Sequence, residues 1–165
     1  MNQTPADFSK QLIKGKIAEH VFEQMFRRAG QFTVLPFGYE STMPELAQQQ
    51  HSANPEARRI ISDLISTTPD FVLVSKRPSE KDVYLVEVKY RSNLRGDDIS
   101  EVARKVHEKW HVVWLFVATP EGFYFDSCKN VIDTGKMKKL AESFVNEQTQ
   151  DEFLRLLNEF ELKSV

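Results

Sequence analysis

Four charged residues stand where their neighbours are apolar, and their types suggest one chemistry. Glu19 lies in a helical pattern whose same-face residues are Leu12, Gly15, Phe22 and Phe26. Glu87 and Lys89 share one face of a strand whose other face is Tyr84, Val86, Val88 and Tyr90. Asp70 follows Pro69 and opens the preceding strand. If the two strands form a hairpin centred between Pro78 and Ser79, Asp70 falls opposite Glu87, with Cβ atoms about 5 Å apart. Two carboxylates that close raise each other's pKa unless a cation lies between them. A divalent ion bound by oxygen ligands gives such a pair, with a lysine beside it, a purpose. Each residue also has a plain structural reading. A register slip of one would send the two acids apart, Glu19 would reach solvent or Arg27 and Arg28, and Glu87 with Lys89 would end a solvated edge strand.

The elements that must position these residues are legible from periodicity. Phe8 to Ala29 repeats apolar residues at helical spacing and stops at Gly30. A short strand follows, Phe32 to Leu35. Residues 37–68 are polar and broken by Pro44 and Pro55, and read as an insertion with helices near Pro44–Gln50 and Pro55–Ile65. Asp70 to Ser75 and Val83 to Tyr90 then alternate with period two and flank a polar, proline-containing connection, which is a hairpin pattern. Asp97 to Lys109 reads as a helix with Asp97 or Asp98 as N-cap. Val112 to Ala118 is almost wholly apolar, as in a strand buried on both faces. A turn leads to Phe123–Asp126, and two helices are expected to close the chain, near Thr134–Asn146 and Thr149–Leu162. The order is helix, strand, strand, strand, helix, strand, then further elements: an α/β layout with a mixed central sheet.

Length and composition set bounds. The chain has 165 residues, 41% hydrophobic and 28% charged, with a net charge of −2, which fits a single folded domain, 1–165. No apolar run is long enough to span a bilayer, and no secretory leader is evident. The single cysteine, Cys128, can form neither an internal disulfide nor a zinc cage. The expectation is a cytoplasmic protein without a membrane partner. The mild acidity argues against a generic nucleic-acid coat but leaves room for a local basic surface. There is no Gly-rich phosphate loop, and His20, His51, His107 and His111 show no common metal-ligand spacing.

Pro69-Asp70, a variable hairpin, then Glu87-Val88-Lys89 resembles the P-D…(D/E)-x-K signature of the restriction-endonuclease-like, or PD-(D/E)XK, nucleases. The stretch Gly15 to Glu23 places Glu19 where that family often has a helical glutamate, and the resemblance runs from about Ile13 to Ala118. It implies a restriction-endonuclease-like αβββαβ core with C-terminal helices added, and a metal-dependent nuclease, most simply a DNA endonuclease. Asp70, Glu87 and the Val88 carbonyl would ligate Mg2+, with Mn2+ able to substitute. Glu19 would serve a second ion or the first ion's water shell. Lys89 would hold the attacking water or offset transition-state charge.

For nucleic-acid contact the candidates are Arg91 and Arg95 after the motif strand, Lys105 and Lys109 one turn apart on the next helix, and Tyr39 in the loop after the first strand. A solvated helix face and a loop-pinning tyrosine are the ordinary alternatives. DNA, duplex or branched, is the expected substrate, with RNA open. A double-strand cutter would need two sites, so a homodimer is expected, for which Phe153, Leu154, Leu156, Leu157 and Phe160 are available if they do not pack on the sheet. The alternative is a non-catalytic module of the same fold that binds nucleic acid or a partner protein.

Overall fold

The computed structural model describes residues 5–38, 55–77, 79, 82–94 and 96–163. Its elements run α1 (Pro5–Ala29), β1 (Phe32–Pro36), α2 (Pro55–Thr67), β2 (Phe71–Ser75), β3 (Val83–Tyr90), α3 (Gly96–Lys109), β4 (Val113–Thr119), β5 (Gly122–Ser127), α4 (Cys128–Thr134) and α5 (Glu147–Lys163). The described strands form one mixed, open sheet in the order β1-β2-β3-β4-β5. Only β3 and β4 are parallel, and α3 makes the crossover between them. The expected α/β layout with a mixed central sheet is therefore present. No described helix is long and apolar enough to cross a membrane.

Both faces of the sheet are covered. On one face Val21, Phe22, Met25 and Phe26 of α1 meet Val86, Val88 and Phe116, with Phe153 and Leu157 of α5 joining them. The Phe22 ring lies 5.0 Å from both Phe71 and Phe116, which locks α1 against β2 and β4. On the other face Ile99, Ala103 and Val106 of α3 pack with Val113, Leu115 and Val117 of β4 and with Cys128 and Val131 of α4. Alternate residues of β4 thus feed opposite cores, which is why that strand reads as continuously apolar. Phe153 and Leu157, expectations for a dimer seam, belong to the core, whereas Leu156 and Phe160 are exposed.

The hairpin register is the one the sequence arithmetic requires. Phe71 pairs with Val86 and Val74 with Val83, and the Ser75 N–H donates to the Asp82 carbonyl at the turn end. Extending the ladder by one residue sets Asp70 opposite Glu87.

Two expectations are corrected. Thr134–Asn146 is not a helix: α4 precedes it, capped by Ser127, whose hydroxyl accepts from the Asn130 N–H. Gly135 then takes a left-handed conformation (φ 66°) that ends the helix. Residues after it lie extended along the β5 edge, where the Lys138 carbonyl accepts from Phe125 and the Leu140 N–H donates to Phe123. Asp97 and Asp98 fall inside the first turn of α3, which begins at Gly96, and the Asp98 carboxylate binds Arg91. The helix expected near Pro44–Gln50 lies outside the described residues, while the one near Pro55–Ile65 is α2.

Candidate active site

The site arises where β3 outlasts its neighbour. β2 begins at Phe71, opposite Val86, so residues 87–90 run past it and pair with β4 alone. The backbone donors on the open side need other acceptors. Asp70 supplies one: its Oδ2 accepts the Val88 N–H at 2.7 Å. Asp70 is itself fixed by its main chain. Its N–H donates to the Val86 carbonyl at 2.9 Å, and its carbonyl accepts from Phe37 at 2.9 Å and Gly38 at 3.1 Å. Four hydrogen bonds thus hold this residue at the sheet edge, two to β3 and two to the residues after β1.

Glu87 is 4% exposed, on the α3 face of β3. Its Oε1 accepts from the Lys89 ammonium, and its Oε2 is buried with no hydrogen-bond partner among the described residues. An orphaned, buried carboxylate oxygen is costly and marks a place where a ligand would be gained. Lys89 follows on the same face, about a third exposed. Glu19 projects from α1, half-buried, and its Oε2 accepts from Lys16 at 3.0 Å.

The electrostatics bind these groups together. Burial, followed by the charge of Glu87, raises the Asp70 carboxyl to about 7, with Glu19 adding to the rise and the Val88 bond and Lys89 opposing it. Burial also raises Glu87, against the pull of Lys89. Burial alone would lower Lys89, but the charge and hydrogen bond of Glu87 and the charge of Asp70 outweigh it, so its pKa rises. Asp70 and Glu87 therefore share one ammonium, Lys89, while Glu19 meets Lys16.

Beside this cluster lies a cleft of about 590 Å³ between α1 and the end of β3, lined by Lys14, Lys16, Glu19, Lys89, Tyr90 and Arg91 among others. Arg91 is oriented by the Asp98 carboxylate at Nε and the Tyr90 carbonyl at Nη1. Lys105 and Lys109 do not line the cleft; Lys105 lies exposed on α3, bound to Glu101 at 2.8 Å. Arg95 and Tyr39 lie outside the described residues. The cleft brings in Lys14 and Lys16, which sequence reasoning passed over. Their signal was present: they flank Gly15, the small residue one turn before Glu19. Cys128 is buried, and its thiol is pushed up to about 12 by burial and the charges of Glu87 and Asp126, so it stays protonated and unreactive.

The donor set suits a hard cation. Asp70 and Glu87 offer carboxylate oxygens, one of them orphaned, and the excess negative charge would be relieved by a divalent ion. Among the described residues no three His, Cys, Asp or Glu side chains converge closely enough to ligate one ion by themselves. Magnesium, which keeps several waters and takes one or two carboxylates, asks for no more than the pair. No family model matches the chain, and no curated protein matches it.

Proposed function

We propose that the chain is a magnesium-dependent nuclease that cuts DNA internally, on a restriction-endonuclease-like core, with Asp70, Glu87 and Lys89 as its catalytic residues and Glu19 in support. The order α1, β1, β2, β3, α3, β4, with α2 inserted between β1 and β2, supports the core assignment. The observation that carries the chemistry is the sheet-edge pair: a carboxylate pinned on Val88 opposite a buried carboxylate with an orphaned oxygen, with an ammonium two residues on.

Asp70, Glu87 and the Val88 carbonyl would hold Mg2+ or Mn2+, with Glu19 reaching its water shell. When bound, the ion supplies Lewis acidity for water activation and for the charge that grows on the phosphoryl oxygens. Without the ion, the charge and hydrogen bond of Glu87 and the charge of Asp70 raise the Lys89 pKa. Lys89 would hold the attacking water or offset the charge that grows in the transition state. Arg91 and the cleft cations orient the strand on either side.

The test is magnesium-dependent nicking of supercoiled plasmid by wild type and Lys89→Ala. A fall of about 10²–10³ in rate, the usual cost of removing one such donor, is expected for the variant. Oligonucleotide affinity measured in calcium should change only a few-fold, because an interaction made chiefly in the transition state acts on turnover more than on binding. Cleavage by Lys89→Ala at the wild-type rate would sink the mechanism and favour a binding module.

A further inference from the structure

Two troughs adjoin along α1. The first is the cleft beside the candidate site, lined by Glu19 and Lys89 but not by Asp70 or Glu87. Its charged lining comprises four cations, Lys14, Lys16, Lys89 and Arg91, against one acid, Glu19, in a chain whose net charge is −2. The second, about 430 Å³, shares Leu12 and Lys16 with the first and runs on over Ile13, Ile17, His20 and Phe160. Its surface is apolar and open: Leu12 is 57%, Ile13 54% and Phe160 52% exposed. A much smaller cavity shares Lys14 and Tyr90 with the first and Ile17 and Phe160 with the second.

We propose that the two troughs form one binding surface for a single, unpaired nucleic-acid strand, with phosphates in the cationic cleft and unstacked bases on the apolar trough. The substrate class of the site is then single-stranded or locally splayed nucleic acid. This inference rests on the nuclease reading only for the identity of the anion.

Three features carry it. The cations are pre-positioned: the Lys14 ammonium sits over the Tyr90 ring at 5.1 Å, and the Arg91 guanidinium is held by Asp98 and the Tyr90 carbonyl. Lys16, Lys89 and Arg91 each also meet an acid, Glu19, Glu87 and Asp98, so the cleft offers held N–H donors for phosphate oxygens more than a large net positive charge. The apolar trough calls for something else at the same time. A duplex hides its base faces in its own stack and offers phosphates alone, so it would leave Leu12, Ile13 and Phe160 in water. An unpaired strand offers both surfaces side by side, and base stacking on aromatic and apolar side chains beside a basic groove is the general means of holding one. Gly15 fits the same picture: a Cβ there would meet nothing within 4 Å, so this turn of α1 is open to a ligand's close approach.

The experiment is fluorescence anisotropy of labelled oligo(dT), alone and as its duplex with oligo(dA), in EDTA so that nothing is cut. Oligo(dT) should bind the wild type about tenfold or more tightly than the duplex. Phe160→Ala should weaken oligo(dT) binding roughly 5- to 100-fold, the range for losing one stacked base, and leave the salt slope unchanged. Lys14→Ala should weaken it and flatten the slope of log K against log salt by about 0.7, the single-strand value per phosphate. Leu12→Ser, also exposed, should repeat the Phe160 result, which guards against a folding defect in either variant. Equal affinity for strand and duplex, or unchanged affinity in both Phe160→Ala and Leu12→Ser, overturns the proposal. So does a light-scattering mass that falls from dimer to monomer in Phe160→Ala with strand affinity intact, since the trough would then be a seam between two copies. If the predicted binding pattern holds but magnesium produces no cleavage, the nuclease reading fails and the strand-binding surface stands.

Discussion

Asp70 does two jobs that pull against each other. Its carboxylate closes the open end of the ladder by accepting from Val88, yet it does so in a half-buried position beside Glu87, and desolvation with the Glu87 charge raises its pKa to about 7. The folded state therefore keeps the Asp70 proton well above the value of 3.8 at which an unperturbed aspartate releases it. Protonated Asp70 favours folding, so its contribution is complete below about pH 4 and is lost as pH rises towards about 7. In EDTA, stability to urea should fall across that window by on the order of a few kcal/mol, since each tenfold difference in proton affinity between the folded and unfolded chains is worth about 1.4 kcal/mol. Asp70→Asn keeps an acceptor for Val88 but cannot titrate, and should flatten the profile. A wild-type slope in Asp70→Asn would place the titration elsewhere. At this scale the sequence was informative. The positions of Asp70, Glu87 and Lys89 followed from period-two alternation and the hairpin midpoint. What could not be read was the Val88 bond, because it depends on β2 stopping one residue short of Asp70. The cations of α1 had a signal in Gly15, which they flank, but Lys14 and Lys16 become relevant only once α1 is laid beside β3.

Elements were legible where one strong periodicity ran without competition, as in α1, β3 and β4. The segment after β5 shows what defeats that reasoning. Lys136, Met137, Lys138, Lys139, Leu140, Ala141 and Glu142 are good helix formers by intrinsic preference. In the fold the chain uses those residues to cover the β5 edge, with Tyr124 bridged to Lys139 and two backbone hydrogen bonds to Phe123 and Phe125. Tertiary pairing outweighs a per-residue preference of at most about 1 kcal/mol, and it also protects an otherwise open sheet edge. Gly135 is the switch, because its left-handed backbone turns the chain out of α4 and its N–H donates to the Val131 carbonyl. Gly135→Ala finds open space for its methyl but must hold φ near 66°, so it should lose about 1–2 kcal/mol. Chemical denaturation gives the value directly. A neutral result would mean that the turn relaxes without loss and that Gly135 does not set the end of α4.

Across the whole molecule the candidate site is a local strain held in place by two well-packed cores. α1 and α5 on one face and α3 and α4 on the other fix β3 and β4 so firmly that Glu87 stays buried with an unsatisfied oxygen and Asp70 stays beside it. Such an arrangement predicts opposite responses to two perturbations that a purely structural cluster would not separate. In EDTA near pH 8, Asp70→Asn should melt at or above the wild-type temperature, because it removes a crowded charge. With manganese in excess the order should reverse. An ion that binds only the folded state stabilises it by RT ln(1 + [L]/Kd), about 2.7 kcal/mol at a hundredfold excess over Kd, which raises Tm by roughly 5 °C or more for a chain of this size. Wild type should gain that increment and Asp70→Asn should lose most of it. Calorimetric scans of both proteins with and without manganese make the comparison. Equal gains in the two would put the ion elsewhere, and no gain in either would leave Asp70 and Glu87 as a strained sheet edge without a metal to justify it.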